Sequence, residues 1–151
     1  MRAYSGMVIL NDALPSGNSN GQNHELWRGR DRFGIEADDV TFVGYWQRDT
    51  GIACSSDGFY VSAWRRPGKV LLAVVNTGDA ATARVQLDPA KLGLPAASQC
   101  AAVDAETSQT LAVQPDGSVD VPINRHDYRQ IIVQGNGFFR RVGQGRRPDP
   151  P

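Results

Sequence analysis

Phe59-Tyr60-Val61-Ser62-Ala63-Trp64-Arg65-Arg66-Pro67-Gly68-Lys69-Val70-Leu71-Leu72-Ala73-Val74-Val75-Asn76 decides the fold. Its first half alternates. Phe59, Val61 and Ala63 fall on one face, and Tyr60, Ser62 and Trp64 on the other, which is the period of a β-strand. Pro67-Gly68 is the pair a type II turn prefers. Val70 to Val75 is apolar on both faces, so it reads as a central strand covered on both sides. Which of its faces looks into the main core is open from the pattern alone. Two strands joined by so short a turn run antiparallel.

Working outward, the same grammar repeats. Asp57-Gly58 before the stretch is a hairpin signal, and Asn76-Thr77-Gly78-Asp79 after it turns the chain again. Ala81, Ala83, Val85 and Leu87 alternate with polar residues, as a half-exposed strand does. Thr41 to Trp46, Ile52 to Ser55, Cys100 to Asp104, Thr110 to Val113, Ser118 to Ile123 and Arg129 to Val133 read as further strands. With no long helical pattern between them, the fold class is all-β, an antiparallel β-sandwich or flattened barrel over residues 39–134. The expected core is Val61, Val70, Leu72, Val74, Val85, Val121 and Ile132.

The flanks read differently. Met7-Val8-Ile9-Leu10 is a contiguous apolar run and is expected to form one short strand buried on both faces. His24 to Phe33 is expected to be a short helix, with Leu26, Trp27, Arg30 and Phe33 near one face and Gly34 ending it. A Gly-rich loop, Leu14 to Asn23, separates the two and is expected to leave the strand loosely attached. Residues 135–151 collect Arg140, Arg141, Arg146 and Arg147 with Gly and Pro, and read as a disordered tail.

Composition excludes several roles. Hydrophobic residues are 40% and charged residues 21%, as in ordinary globular domains. The formal net charge is zero, so no global field recruits nucleic acid. The longest apolar run, Val70 to Val75, is too short to cross a membrane. Cys54 and Cys100 read as two buried thiols, with a single bridge left open if the parent protein is exported. With only His24 and His126 to join them they form no metal-ligand set, and no nucleotide-binding or other cofactor motif occurs. Localisation is therefore undetermined, and Met7 to Leu10 is too short for a signal-peptide core.

The order of these pieces resembles the end of a multi-domain glycoside hydrolase. Ser5-Gly6-Met7-Val8-Ile9-Leu10-Asn11-Asp12 is similar to the last barrel strand of α-galactosidase-like (β/α)8 enzymes, which a helix and a C-terminal β-sandwich follow. Phe59 to Trp64, Arg66 to Asn76, Asp104-Ala105-Glu106 and Asp127 to Val133 are similar to the strands of those sandwiches. The likeness spans about residues 5 to 134. It implies three parts: 1–38 as the remnant of a catalytic-barrel domain, 39–134 as the sandwich, and 135–151 as tail. It also implies a non-catalytic domain that buttresses a catalytic (β/α)8 partner, or alternatively a carbohydrate-binding module. A barrel of eight strand–helix units takes ~250 residues, so no catalytic carboxylate carries over onto this chain.

Most acids, such as Asp57 and Asp116, sit beside Gly in turns, where Asp caps backbone N–H groups. Asp12 is the exception, because a residue at the C-terminal end of a barrel strand points at the active-site mouth. Sugars stack on aromatic faces, so Tyr45, Trp46 and Trp64 join Asp12 as candidate glycan contacts. Against this, adjacent Tyr45 and Trp46 face opposite ways in a strand, so at least one is core.

Overall fold

The structure is a computed structural model that describes residues 2–13 and 24–138. The expected tail beyond residue 138 and the whole Leu14 to Asn23 loop lie outside the described residues. Two antiparallel sheets face each other. The larger has six strands in the order β1 (Thr41–Val43), β3 (Phe59–Arg66), β4 (Lys69–Asn76), β9 (Tyr128–Gly135), β6 (Cys100–Asp104) and β7 (Thr110–Leu111). The smaller has β2 (Ile52–Cys54), β5 (Ala81–Leu87) and β8 (Ser118–Ile123), in the order β2-β5-β8. The fold is an all-β sandwich, as the turn-rich pattern indicates.

β4 sits at the middle of the larger sheet, paired along its length with β3 on one side and β9 on the other. That position explains why it is apolar on both faces. Val70, Leu72 and Val74 point between the sheets, and Leu71, Ala73 and Val75 point outward. The inner side meets Ala83, Val85 and Leu87 of β5 and Val119, Val121 and Ile123 of β8. Ile132 is buried but belongs to the outer layer; Ile131 and Val133 take the inner positions on β9. Cys54 and Cys100 are free thiols, Cys54 half-buried and Cys100 buried.

The outer layer is made by helices, and here the sequence reading is corrected. Residues 2–9 form a helix, α1 (Arg2–Ile9), where a strand at Met7 to Leu10 was expected. Its buried positions are Ser5, Gly6 and Ile9, with Leu10 just past its end, while Tyr4 and Met7 are exposed. This is helical spacing, but two of the buried residues are small and carry no hydrophobic signal. Small residues are needed because α1 lies close on β4 and β9. A Cβ on Gly6 would stand 3.2 Å from Val75 Cγ1 and 3.3 Å from Tyr128 Cβ. Nor is the segment loosely attached. Ile9 and Leu10 are fully buried, and Arg2 clamps the helix start, bonding Asp127, Glu106 Oε2 at 3.0 Å and the Tyr128 carbonyl at 2.9 Å.

The expected second helix is present as α2 (His24–Phe33), with Leu26, Gly29, Arg30 and Phe33 buried. Gly34, at φ 80°, ends it and donates to the Arg30 carbonyl at 3.0 Å. α2 also packs on β4 and β9. It touches them through Gly29, where a Cβ would fall 2.1 Å from Gln130 Oε1. A third, single-turn helix, α3 (Pro89–Leu92), is capped by the Asp88 carboxylate, which accepts from the Ala90 and Lys91 amides.

Candidate functional site

The four sequence-named candidates lie along one edge of the larger sheet's outer face. Trp64 is an outward position of β3, buried to 2% exposure. A buried indole N–H needs an acceptor, and Trp64 Nε1 donates to Asp12 Oδ1 at 2.7 Å. Asp12 reaches it from the exit of α1. The chain ends that helix by passing through the left-handed region at Asp12, φ 54°, with Ala13 N–H donating back to the Val8 carbonyl at 3.2 Å. So Asp12 follows a helix, not a barrel strand, and its carboxylate is directed at this chain's own tryptophan.

Arg30 of α2 completes the corner. Its guanidinium lies 4.8 Å from the centroid of the Trp64 ring, and its Nη2 stands 3.7 Å from Asp12 Oδ1. Burial pulls the Arg30 pKa down, and the Asp12 charge opposes that. The side chain is only 5% exposed, and its Nε and Nη1 have no hydrogen-bond partner among the described residues. Above them opens a pocket of about 320 Å³ lined by Asp12, Trp27, Arg30, Glu36, Phe42 and Trp64.

Tyr45 and Trp46 sit further along the same edge, in the turn after β1. Phe42 links the two groups, with its ring 5.3 Å from Trp64 and 5.9 Å from Trp46. Trp46 meets Tyr45 at 84° and Tyr45 meets Tyr60 at 76°, both edge to face. Trp46 folds back over Gly44, where any Cβ would lie 2.6 Å from the indole. The turn is tied to α1: the Tyr45 amide donates to Ser62 Oγ at 2.9 Å, and Ser62 Oγ donates to the Leu10 carbonyl at 2.7 Å. Tyr45 and Trp46 are both exposed; the strand alternation that would bury one of them ends at Val43.

Thus Asp12 and Trp64 touch, while Tyr45 and Trp46 connect to them through the Phe42 ring and the Ser62 hydroxyl. The sequence reading set Trp27 and Arg30 on one helical face but gave neither a place in the site. Glu36 and Phe42 carried no signal of their own.

The two outer faces of the sandwich contrast sharply. On the smaller sheet, buried and exposed residues alternate from Thr82 to Leu87 on β5 and from Val119 to Ile123 on β8, and Arg84 pairs there with Asp116 at 3.2 Å and Asp120 at 3.4 Å. The helix-bearing side carries the exposed large apolar residues: Tyr4 and Met7 on α1, Trp27 on α2, Tyr45 and Trp46 in the turn, and Tyr60 on β3.

Several solved structures are similar to the chain, two of them as follows. One is a noncanonic maltogenic α-amylase, AmyB, from Thermotoga neapolitana, with 11% identity and a TM-score of 0.46 over 80% of this chain and 27% of that one. The other is a GH30 endoxylanase from Clostridium papyrosolvens C71, with 19% identity and a TM-score of 0.36 over 55% of this chain and 22% of that one. The chain therefore spans about a quarter of the length of these solved structures. A search of curated proteins gives no match. The family described as glycoside hydrolase 123, C-terminal domain, matches residues 22–126, which run from the start of α2 through β8. That match covers more than half of the sequence, and the chain belongs to the glycoside hydrolase 123 C-terminal domain family.

Proposed function

We propose that this chain is a non-catalytic accessory domain that buttresses the catalytic domain of a glycoside hydrolase through its helix-bearing face. The observation that carries this reading is the contrast between the outer faces. One is polar and ion-paired, while the other gathers Tyr4, Met7, Trp27, Tyr45, Trp46 and Tyr60. Exposed apolar residues gathered on one face mark a contact surface. The family match supplies the occupant's chemistry, since a C-terminal domain of a glycoside hydrolase adjoins the rest of that enzyme. α1 and α2 both pack on this face, against β4 and β9. A (β/α)8 barrel of the α-galactosidase-like kind is one candidate for the partner.

The acids support the non-catalytic part. A glycosidase needs two carboxyl groups facing each other across the bond to be cleaved. Here the buried acids are engaged: Asp104 accepts from the Glu106 and Thr107 amides and pairs with Arg129 at 3.4 Å, and Asp127 and Glu106 hold Arg2. The alternative, glycan binding on Tyr45 and Trp46, is weakened by their edge-to-face angles, which do not make a flat platform.

The test uses the whole enzyme that contains this domain, with Tyr45, Trp46 and Tyr60 all replaced by Ser. Heat inactivation of its glycosidase activity should accelerate, while the melting temperature of this chain alone stays near the parent value. An unchanged inactivation rate would remove the buttress reading. Glycoside hydrolysis by the purified chain, lost on mutation of one of its own carboxylates, would overturn the non-catalytic one.

A further inference from the structure

From the pocket between α2 and the β1–β3 edge we infer a binding site for a single neutral pyranose unit, independent of the buttress reading. Its volume, about 320 Å³, is at the small end of ligand sites. Three features select the ligand. Trp27 is 38% exposed and lines the pocket, an aromatic side chain of the kind on which the C–H side of a sugar stacks. Asp12 and Glu36 place two carboxylates at the rim, which accept hydroxyl hydrogens and repel anions. Among the described residues, both contacts of Asp12 use Oδ1.

Arg30 is the third feature. A guanidinium 5% exposed with Nε and Nη1 unpartnered is costly. After a rotation of the guanidinium, a ligand hydroxyl seated beside Asp12 supplies the acceptor that the described residues do not. An aromatic face, paired carboxylates and an arginine together fit a polyol with one apolar face better than a metal ion or a phosphate. The larger cleft at Gln47, Arg48, Asp49, Arg65 and Lys91 lacks this combination. Its Lys91 is already paired with Asp49, and Arg65 donates to the Lys91 carbonyl at 3.1 Å.

The chain has three tryptophans, so three indole N–H resonances report on the question. The full chain is titrated with methyl β-glucopyranoside, methyl β-galactopyranoside and methyl α-mannopyranoside in the millimolar range. The expected result is a saturable shift at Trp27 and Trp64 with at least one of these, and none at Trp46. Asp12→Asn and Glu36→Gln should each weaken binding about tenfold, the effect of one charge-assisted hydrogen bond. Trp46→Ala should leave it unchanged. No saturable shift with any sugar of the panel, or shifts at Trp64 that survive Trp27→Ala, would overturn the inference. These readouts need no catalytic domain, so their failure leaves the buttress test untouched.

Discussion

Leu71 and Leu72 are neighbours on β4 and both are fully buried, yet they belong to different layers. Leu72 points between the sheets into a layer built of apolar side chains. Leu71 points under α1 and α2, a layer that also holds Ser62, Gln130 and Arg30, with Glu106 and Asp127 at its margin. Among the described residues, Gln130 has neither of its side-chain polar atoms hydrogen-bonded. The inner layer is what any sandwich needs in order to fold. The outer layer tolerates unsatisfied polar groups, which a layer selected for stability alone would replace by apolar ones. The difference teaches that the helix layer is integral yet built with polar groups inside it, while its rim carries the exposed large apolar residues.

The largest expected effect removes the outer layer's cover. Deleting residues 1–13 takes away Ile9 and Leu10, each worth roughly 1.5–3 kcal/mol when fully buried. It also bares Val75 and Tyr128. The midpoint of chemical denaturation should fall and self-association should rise. A truncated chain as stable as the parent would return α1 to the status of a loose appendage.

Next come the paired substitutions on β4. Leu72→Ala should cost about 2–5 kcal/mol. Leu71→Ala should fall at the lower end of that range, because polar neighbours let water enter the space left behind. Equal losses in the two variants would erase the distinction between the layers.

Gln130→Leu is a smaller probe. Replacing an unpaired buried amide by a similar apolar volume should stabilise the chain by about 1 kcal/mol. A destabilised variant would show that the amide has a partner. The same logic makes Gly29→Ala harmful, since its Cβ has no room beside Gln130.

The smallest effect is electrostatic. Burial pushes the Glu106 carboxyl above its ordinary pKa, opposed by the charge and hydrogen bond of Arg2. A raised carboxyl pKa favours the folded state below the ordinary carboxylate range, and that favour is lost as pH climbs through the raised value. Glu106→Gln fixes the uncharged state. Its stability relative to the parent should therefore grow as pH rises through that window, read from urea midpoints on either side. A constant difference would mean that Glu106 titrates alike in the folded and unfolded chain.

How much of this was legible follows the size of the side chains involved. The hairpin at Pro67-Gly68 and the two-sided burial of β4 were readable, because large apolar residues and turn formers carry them. α1 was not, because its buried face is written in Ser5 and Gly6 and its apolar run straddles the helix end. The loose strand motifs led to the right class of enzyme without fixing its family. Of the site, Asp12 and Trp64 were named for a glycan role, yet their mutual hydrogen bond depends on the left-handed exit of α1, which no spacing rule reveals. Arg30 and Glu36 reach the same corner only because α2 packs on the outer face of the larger sheet, which sets Arg30 over the Trp64 ring.

Hydrogen exchange tests the central claim most directly, comparing this chain alone with the whole enzyme that contains it. The account expects added protection across α1, the Tyr45-Trp46 turn and β3 around Tyr60, and unchanged exchange in β5 and β8. Protection gained on the β2-β5-β8 sheet, or no gain on the helix-bearing face, would contradict it.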